Sequence, residues 1–184
     1  MSTEAIFPQD TVELVKSHVR EVEDFPARGV LFRDITPLIA DGKAFAALVE
    51  ILAERYRGKC DAIAGLESRG FILGAPLAHA LGIGMITVRK AGRLPGPVVG
   101  INYELEYGSA RMELQPFTLE DGMRVLVIDD VLATGGTAGA AFDLITQAGG
   151  IPAGLCVLLE LTELGGRDYL AQHCDVPIES VIAY

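Results

Sequence analysis

The stretch VLVIDDVLATGGT, Val125 to Thr137, places two aspartates between an apolar, β-branched run and a loop of small residues. Val125–Ile128 reads as a buried strand, and the residues from about Ala138 to Ala148 as a helix that Gly149-Gly150 ends. Gly135 and Gly136 are suited to expose backbone N–H groups, and Thr134 and Thr137 add hydroxyls, so residues 133–137 look built for a phosphate. Thr137 is also placed to cap the helix that follows. Asp129 and Asp130 contradict a plain phosphate site, because their charge repels one. The ligand has to want both.

Outward from this stretch, apolar runs and helical spacings alternate. Ala62–Leu66, Met85–Val88, Ala153–Leu161 and Ser180–Ala183 read as strands. Between and around them, Phe71–Leu81 reads as a helix stopped by Gly82, Lys43–Arg57 as a helix capped by Asp41, and Glu163–Ala171 as a short helix. Five of the nine residues from Gly92 to Gly100 are Gly or Pro, which marks a loop, and Tyr103–Leu114 shows the partial alternation of a strand or hairpin. Apolar strands alternating with helices predict an α/β fold: a mostly parallel sheet with helices on both faces. Near the start, Val12, Val15, Val19 and Val22 predict a helix over Thr11–Val22 that Phe25-Pro26 ends, and GVLFRD (Gly29–Asp34) reads as a strand or a buried loop. The first 40 residues or so stand outside the alternation, as a small hood over the sheet's edge. No linker or repeat divides the 184 residues, so one domain spanning 1–184 is expected.

Composition excludes several functions. A net charge of −10 argues against a nucleic-acid partner, which needs a basic face. Cys60, Cys156 and Cys174 are odd in number and far apart, which fits a reducing compartment without disulfides or a zinc site. No long uncharged apolar run and no secretory leader is evident, so a cytoplasmic protein with no membrane partner is expected. His18, His79 and His173 are scattered, Cys156 reads as inert core, and Ser68 has no neighbouring histidine to make it a nucleophile.

In open parallel sheets ligands gather at the carboxyl ends of strands, where the acidic pair stands. The loop lacks the Gly-Lys-Ser/Thr of a nucleotide-triphosphate loop and the GxGxxG of a dinucleotide site. A sugar phosphate resolves the conflict. Carboxylates accept hydrogen bonds from a vicinal diol, each worth about 1.5–3 kcal/mol. Asp129 and Asp130 then hold the 2′ and 3′ hydroxyls of a ribose while Ala133, Thr134, Gly135, Gly136 and Thr137 wrap its 5′-phosphate. Acids that only capped or turned the chain need not come in a pair.

The apolar run, acidic pair and ATGGT loop resemble the signature of type I phosphoribosyltransferases. FPARGVLFRDITPL, GLESRGFILGAPLAHALG, VRKAGRLPG, LEYG and VLLELTELGGR narrow the resemblance to their adenine-specific family, from about Val12 onward. The resemblance implies a reaction of adenine with 5-phosphoribosyl 1-diphosphate, giving AMP and pyrophosphate with Mg²⁺, in a homodimer. It also implies that Ser68, Arg69, Arg89, Lys90 and Arg93 bind pyrophosphate, with a cis peptide at Glu67–Ser68. Leu31 and Arg33 would hold adenine through main-chain groups, with Phe32 against the ring; by themselves Leu31 and Phe32 read as core residues. Glu106 is the implied acid/base and Tyr107 part of a closing flap, although the residues alone do not separate Glu106 from Glu104. Magnesium is expected on substrate oxygens and water, with no dedicated protein ligand. Related transferases for xanthine, hypoxanthine or guanine are the nearest alternative; a catalytically inactive sensor of phosphoribosyl diphosphate is a more distant one.

Overall fold

The computed structural model describes residues 6–104 and 109–184. Seven strands form one sheet in the order β5-β6-β4-β3-β7-β8-β9. These are β3 (Ala62–Leu66), β4 (Gly84–Lys90), β5 (Val99–Glu104), β6 (Ser109–Leu114), β7 (Arg124–Leu132), β8 (Ile151–Glu160) and β9 (Ile178–Ala183). Strands β4, β3, β7, β8 and β9 pair in parallel, while β6 runs antiparallel between β4 and β5. A separate antiparallel pair, β1 (Arg20–Val22) and β2 (Phe32–Asp34), makes the hood with α1 (Gln9–His18) and α2 (Thr36–Ala40). The other helices are α3 (Gly42–Tyr56), α4 (Arg69–Leu81), α5 (Gly136–Gln147) and α6 (Gly166–His173). No helix of the described residues is long and apolar enough to cross a membrane.

Alternation in the central strands serves two apolar layers. Ile63, Leu126, Ile128, Cys156 and Leu158 join Leu48 and Leu52 of α3 and Leu73 and Leu77 of α4. Ala62, Ala64, Leu66, Val125, Val127 and Leu155 join Phe142, Leu144 and Ile145 of α5. Both faces of the strands are therefore covered, as a continuous apolar run requires. Cys156 is fully buried, and burial pushes its thiol up to about 12.

Most predicted elements stand within a few residues of their expected bounds, and Asp41 caps α3 by accepting from the amides of Lys43 and Ala44. Four differences matter. Helix α1 ends at His18, and Val22 serves a strand, because Arg20–Val22 pairs with Phe32–Asp34 and Arg20 forms an ion pair with Asp34 at 2.8 Å. Phe25-Pro26 therefore follows a strand and ends no helix. Strand β7 continues through both aspartates to Leu132, held by pairing with β8 at Asp129↔Val157 and Leu132↔Glu160. Leu31 is 40% exposed, so it is not a core residue.

Two glycines of α4 let it lie close against β7. A Cβ on Gly70 would stand 2.6 Å from the Ile128 carbonyl oxygen, and one on Gly74 would stand 3.1 Å from the Ile128 side chain. Gly70→Ala is expected to cost about 1–3 kcal/mol in urea unfolding, because the obstacle is backbone of a central strand. An unchanged midpoint would show that this contact is not tight.

Candidate active site

Strand β3 lies between β4 and β7, so the segment that follows it is flanked by the ends of both neighbours. That segment is Glu67-Ser68-Arg69-Gly70, leading into α4, and the Glu67–Ser68 peptide is cis. On one side Arg89 of β4 forks onto the Glu67 carboxylate, its Nη2 at 3.2 Å from Oε1 and its Nε at 3.3 Å from Oε2. The Lys90 amide donates to the same carboxylate at 3.0 Å. The Arg89 guanidinium holds Glu67 below its usual carboxylate range. On the other side Arg69 pairs through Nε with Oδ2 of Asp130, which is buried. The central segment thus bridges a basic strand end and an acidic one.

The two aspartates differ. Asp129 accepts from the Asp130 amide through Oδ1 at 2.9 Å. Burial, followed by the charge of Asp130, pushes the Asp129 carboxyl well above the ordinary range. Beyond them Leu132 ends the strand, and Gly135 turns the chain with φ +87° as the cap residue of α5. Thr137 is inside the first turn of α5, so it is not the cap; its Oγ1 lies 3.5 Å from the Tyr103 hydroxyl. No side chain of the described residues caps α5, which leaves its first amides directed toward the loop. A cavity of about 140 Å³ beside it is lined by Asp129, Ala133, Thr134, Gly135 and Thr137 among others. Gly136 begins α5 at its edge.

A further cavity of about 130 Å³ brings Leu31, Phe32 and Arg33 of the hood to Arg69 and Asp130, with Leu159 and Leu161 also lining it. Arg69 also stands over the Phe32 ring, 5.6 Å from its centroid. The residues expected to meet base, ribose and 5′-phosphate therefore occupy adjoining cavities. Ser68, Lys90 and Arg93 are exposed. Lys90 and Arg93 enter the network through main-chain groups, the Arg93 carbonyl accepting from Arg89 at 3.2 Å. Glu106 and Tyr107 lie outside the described residues.

Sequence reasoning missed what four residues contribute. Glu67 orients Arg89; an acid inside a supposed anion loop is a charge conflict that signals a cationic partner. Glu113, buried on β6, accepts from the Gly92 amide at 3.0 Å and pairs with Arg111, fixing the start of the basic loop. Gly166 stands against the Ala133 carbonyl so closely that a side chain there would collide with it. Leu161 lines the cavity that holds Leu31–Arg33; it falls within VLLELTELGGR, but an apolar residue there carries no sign of a site. As for a metal, no three His, Cys, Asp or Glu side chains converge among the described residues. The available donors, two acids of which one is paired with Arg69, fit an ion carried on substrate oxygens and water.

A model of the phosphoribosyl transferase domain matches residues 36–178. An adenine phosphoribosyltransferase of Synechococcus sp. (strain CC9902) is 52% identical over 171 residues, covering 91% of this chain and 95% of that relative. The chain belongs to the adenine phosphoribosyltransferase family. The crystal structure of a Thermoanaerobacter pseudethanolicus member of this family is 44% identical and superposes with a TM-score of 0.88, over 94% of this chain and 99% of that one. A Saccharomyces cerevisiae member, solved with an imino-altritol bisphosphate and adenine, is 36% identical with a TM-score of 0.87, over 95% and 100% of the two chains.

The raised Asp129 carboxyl has a consequence for stability. Its folded value lies above its unfolded value of about 4, so the stability it contributes is present below that value and lost as pH rises through the folded one. Asp129 therefore weakens the fold at neutral pH, because its buried carboxyl resists the charge it carries freely when unfolded. Asp129→Asn is expected to raise Tm at neutral pH and to raise it less near pH 4. A gain equal at both, measured by calorimetry, would contradict burial as the cause.

Proposed function

We propose that the chain transfers the 5-phosphoribosyl group of 5-phosphoribosyl 1-diphosphate to adenine, releasing pyrophosphate and giving AMP for purine salvage. The observation that carries this reading is the cavity shared by Leu31–Arg33, Arg69 and Asp130, which brings the segment read as base-binding to a carboxylate read as ribose-binding. Membership of the family supports it.

In this reading Asp129 and Asp130 hold the ribose hydroxyls, and the loop from Ala133 to Thr137 holds the 5′-phosphate. Adenine packs on Phe32, with main-chain groups of Leu31 and Arg33 meeting its edge. The exocyclic amine donates where guanine and hypoxanthine present an acceptor oxygen, so a facing carbonyl rejects them; such mismatches reach roughly 10⁴-fold. The bond from C1′ to pyrophosphate oxygen breaks as the bond from N9 to C1′ forms, through an oxocarbenium-like transition state. Arg69, the Ser68 segment, Arg89, Lys90 and Arg93 take the leaving charge. Arg69 must then share itself between Asp130 and the pyrophosphate, which ties sugar and leaving group to one side chain. A magnesium ion carried on the substrate, with no dedicated side chain to hold it, would spread the same charge. Glu106 accepts the purine proton, and the loop from Lys90 to about Glu104, with Tyr107, excludes water that would compete at C1′.

The chain serves as one domain over 1–184, with about residues 1–40 as the hood over the base. A cytoplasmic homodimer completes the proposal.

Pyrophosphate release with adenine, guanine, hypoxanthine and xanthine tests the choice of base. Turnover of adenine alone is expected, and it stops on chelation of magnesium; rapid turnover of guanine without adenine would overturn it. Binding of phosphoribosyl diphosphate with no turnover of any base would point to a sensor. Asp130→Asn is expected to weaken binding of phosphoribosyl diphosphate and AMP without unfolding the protein. Glu106→Gln is expected to lower kcat more than affinity, and equal affinity losses in the two variants would contradict this division of roles.

A further inference from the structure

Tyr184, which follows β9, touches both walls of the base-side cavity. Its ring lies against the guanidinium of Arg33, 3.9 Å from Cζ to the ring centroid. Arg33 belongs to the hood wall, next to Phe32. Among the described residues its buried Nε finds no hydrogen-bond partner, and the nearest carboxylate oxygen of Glu21 is 3.9 Å away. A largely buried guanidinium whose Nε is left without a partner gains from an aromatic face.

The main chain of Tyr184 is tied to the opposite wall. Its amide donates to the Glu160 carbonyl at 2.9 Å, and its carbonyl accepts from the Thr162 amide at 3.0 Å and from the Thr162 hydroxyl. Glu160 and Thr162 flank Leu161, which lines the cavity across from Leu31–Arg33. The hood strands are not hydrogen-bonded into the large sheet, so no ladder sets the gap between these walls. One residue fixed to the sheet by its backbone and to the hood by its ring adds a link at the cavity itself, beside the packing of Val15, Ile35 and Leu38 into the core.

We infer that Tyr184 is a positioning residue for the base, acting through Arg33 to set the width of the cleft between Phe32 and Leu161. This rests on the reading of that cavity as the base site. The role is carried by the aromatic face, so the hydroxyl is dispensable and an aliphatic side chain of similar bulk is a poor substitute.

Steady-state kinetics of Tyr184→Ala, Tyr184→Leu and Tyr184→Phe test it. Alanine and leucine are expected to raise the KM for adenine about three- to thirtyfold. They should leave kcat and the KM for phosphoribosyl diphosphate within about twofold, and phenylalanine should restore wild-type values. The leucine variant keeps the apolar packing should the alanine variant fold poorly. In an Arg33→Gln background, Tyr184→Ala is expected to add no further rise. An unchanged KM for adenine, equal rises for both substrates, full rescue by leucine, or additivity with Arg33→Gln would overturn the inference. A wild-type protein that used another purine and not adenine would sink the proposed function instead. The same split, measured on that purine, would still decide the role of Tyr184.

Discussion

Two adjacent carboxylates near the end of a buried parallel strand repel each other and lose hydration, and the site is arranged around keeping them there. Strand pairing with β8 holds Asp129 in the sheet, and Arg69 compensates Asp130. Asp129 absorbs what is left as a raised carboxyl, the expected result of burial beside a like charge. Arg69 can reach Asp130 because Gly70 lets α4 begin against β7. The same start of α4 places Glu67 beside Arg89, so one tight backbone contact organises both the acidic and the basic side of the site.

Small residues set the other approaches. Gly135 carries the left-handed turn after β7, and a Cβ there would stand 2.8 Å from the Gly166 carbonyl oxygen. The loop after β7 is thereby pressed against the start of α6, which is in turn held by Arg167 on Glu160. The hood reaches the sheet through side chains, with Phe32 under Arg69 and Arg33 on Tyr184. The cavity beside the loop and the cavity beneath the hood share β7, whose Asp129 and Val131 line the first and whose Asp130 and Val131 line the second.

What was legible in the sequence follows from range. Ala62–Leu66 stands in the structure with the bounds its apolar run predicts, because a strand buried on both faces carries its own signal. Gly82 ends α4 and Asp41 caps α3 for equally local reasons. Strand β1 was hidden: its valine continues a helical spacing, and only pairing with Phe32–Asp34, which lies later in the chain, makes it extended. Leu31 looked like core because a short apolar run carries no record of which side is covered. At the site, the acidic pair and its loop were visible as a motif. The ion pairs of Glu67 with Arg89 and of Arg69 with Asp130 were not, since they join residues 22 and 61 positions apart. Cap assignment failed at Thr137 because Gly135 turns the chain before it.

The claim on which the rest depends is that the acidic pair grips a ribose diol. Calorimetric binding of AMP and of 2′-deoxy-AMP addresses it without any turnover. A ribose clamp requires the deoxy nucleotide to bind the wild-type protein about tenfold or more weakly, since one charge-assisted hydrogen bond is gone. It also requires that difference to shrink toward none when both aspartates are changed to asparagine. Equal affinity of the wild-type protein for the two nucleotides would contradict it.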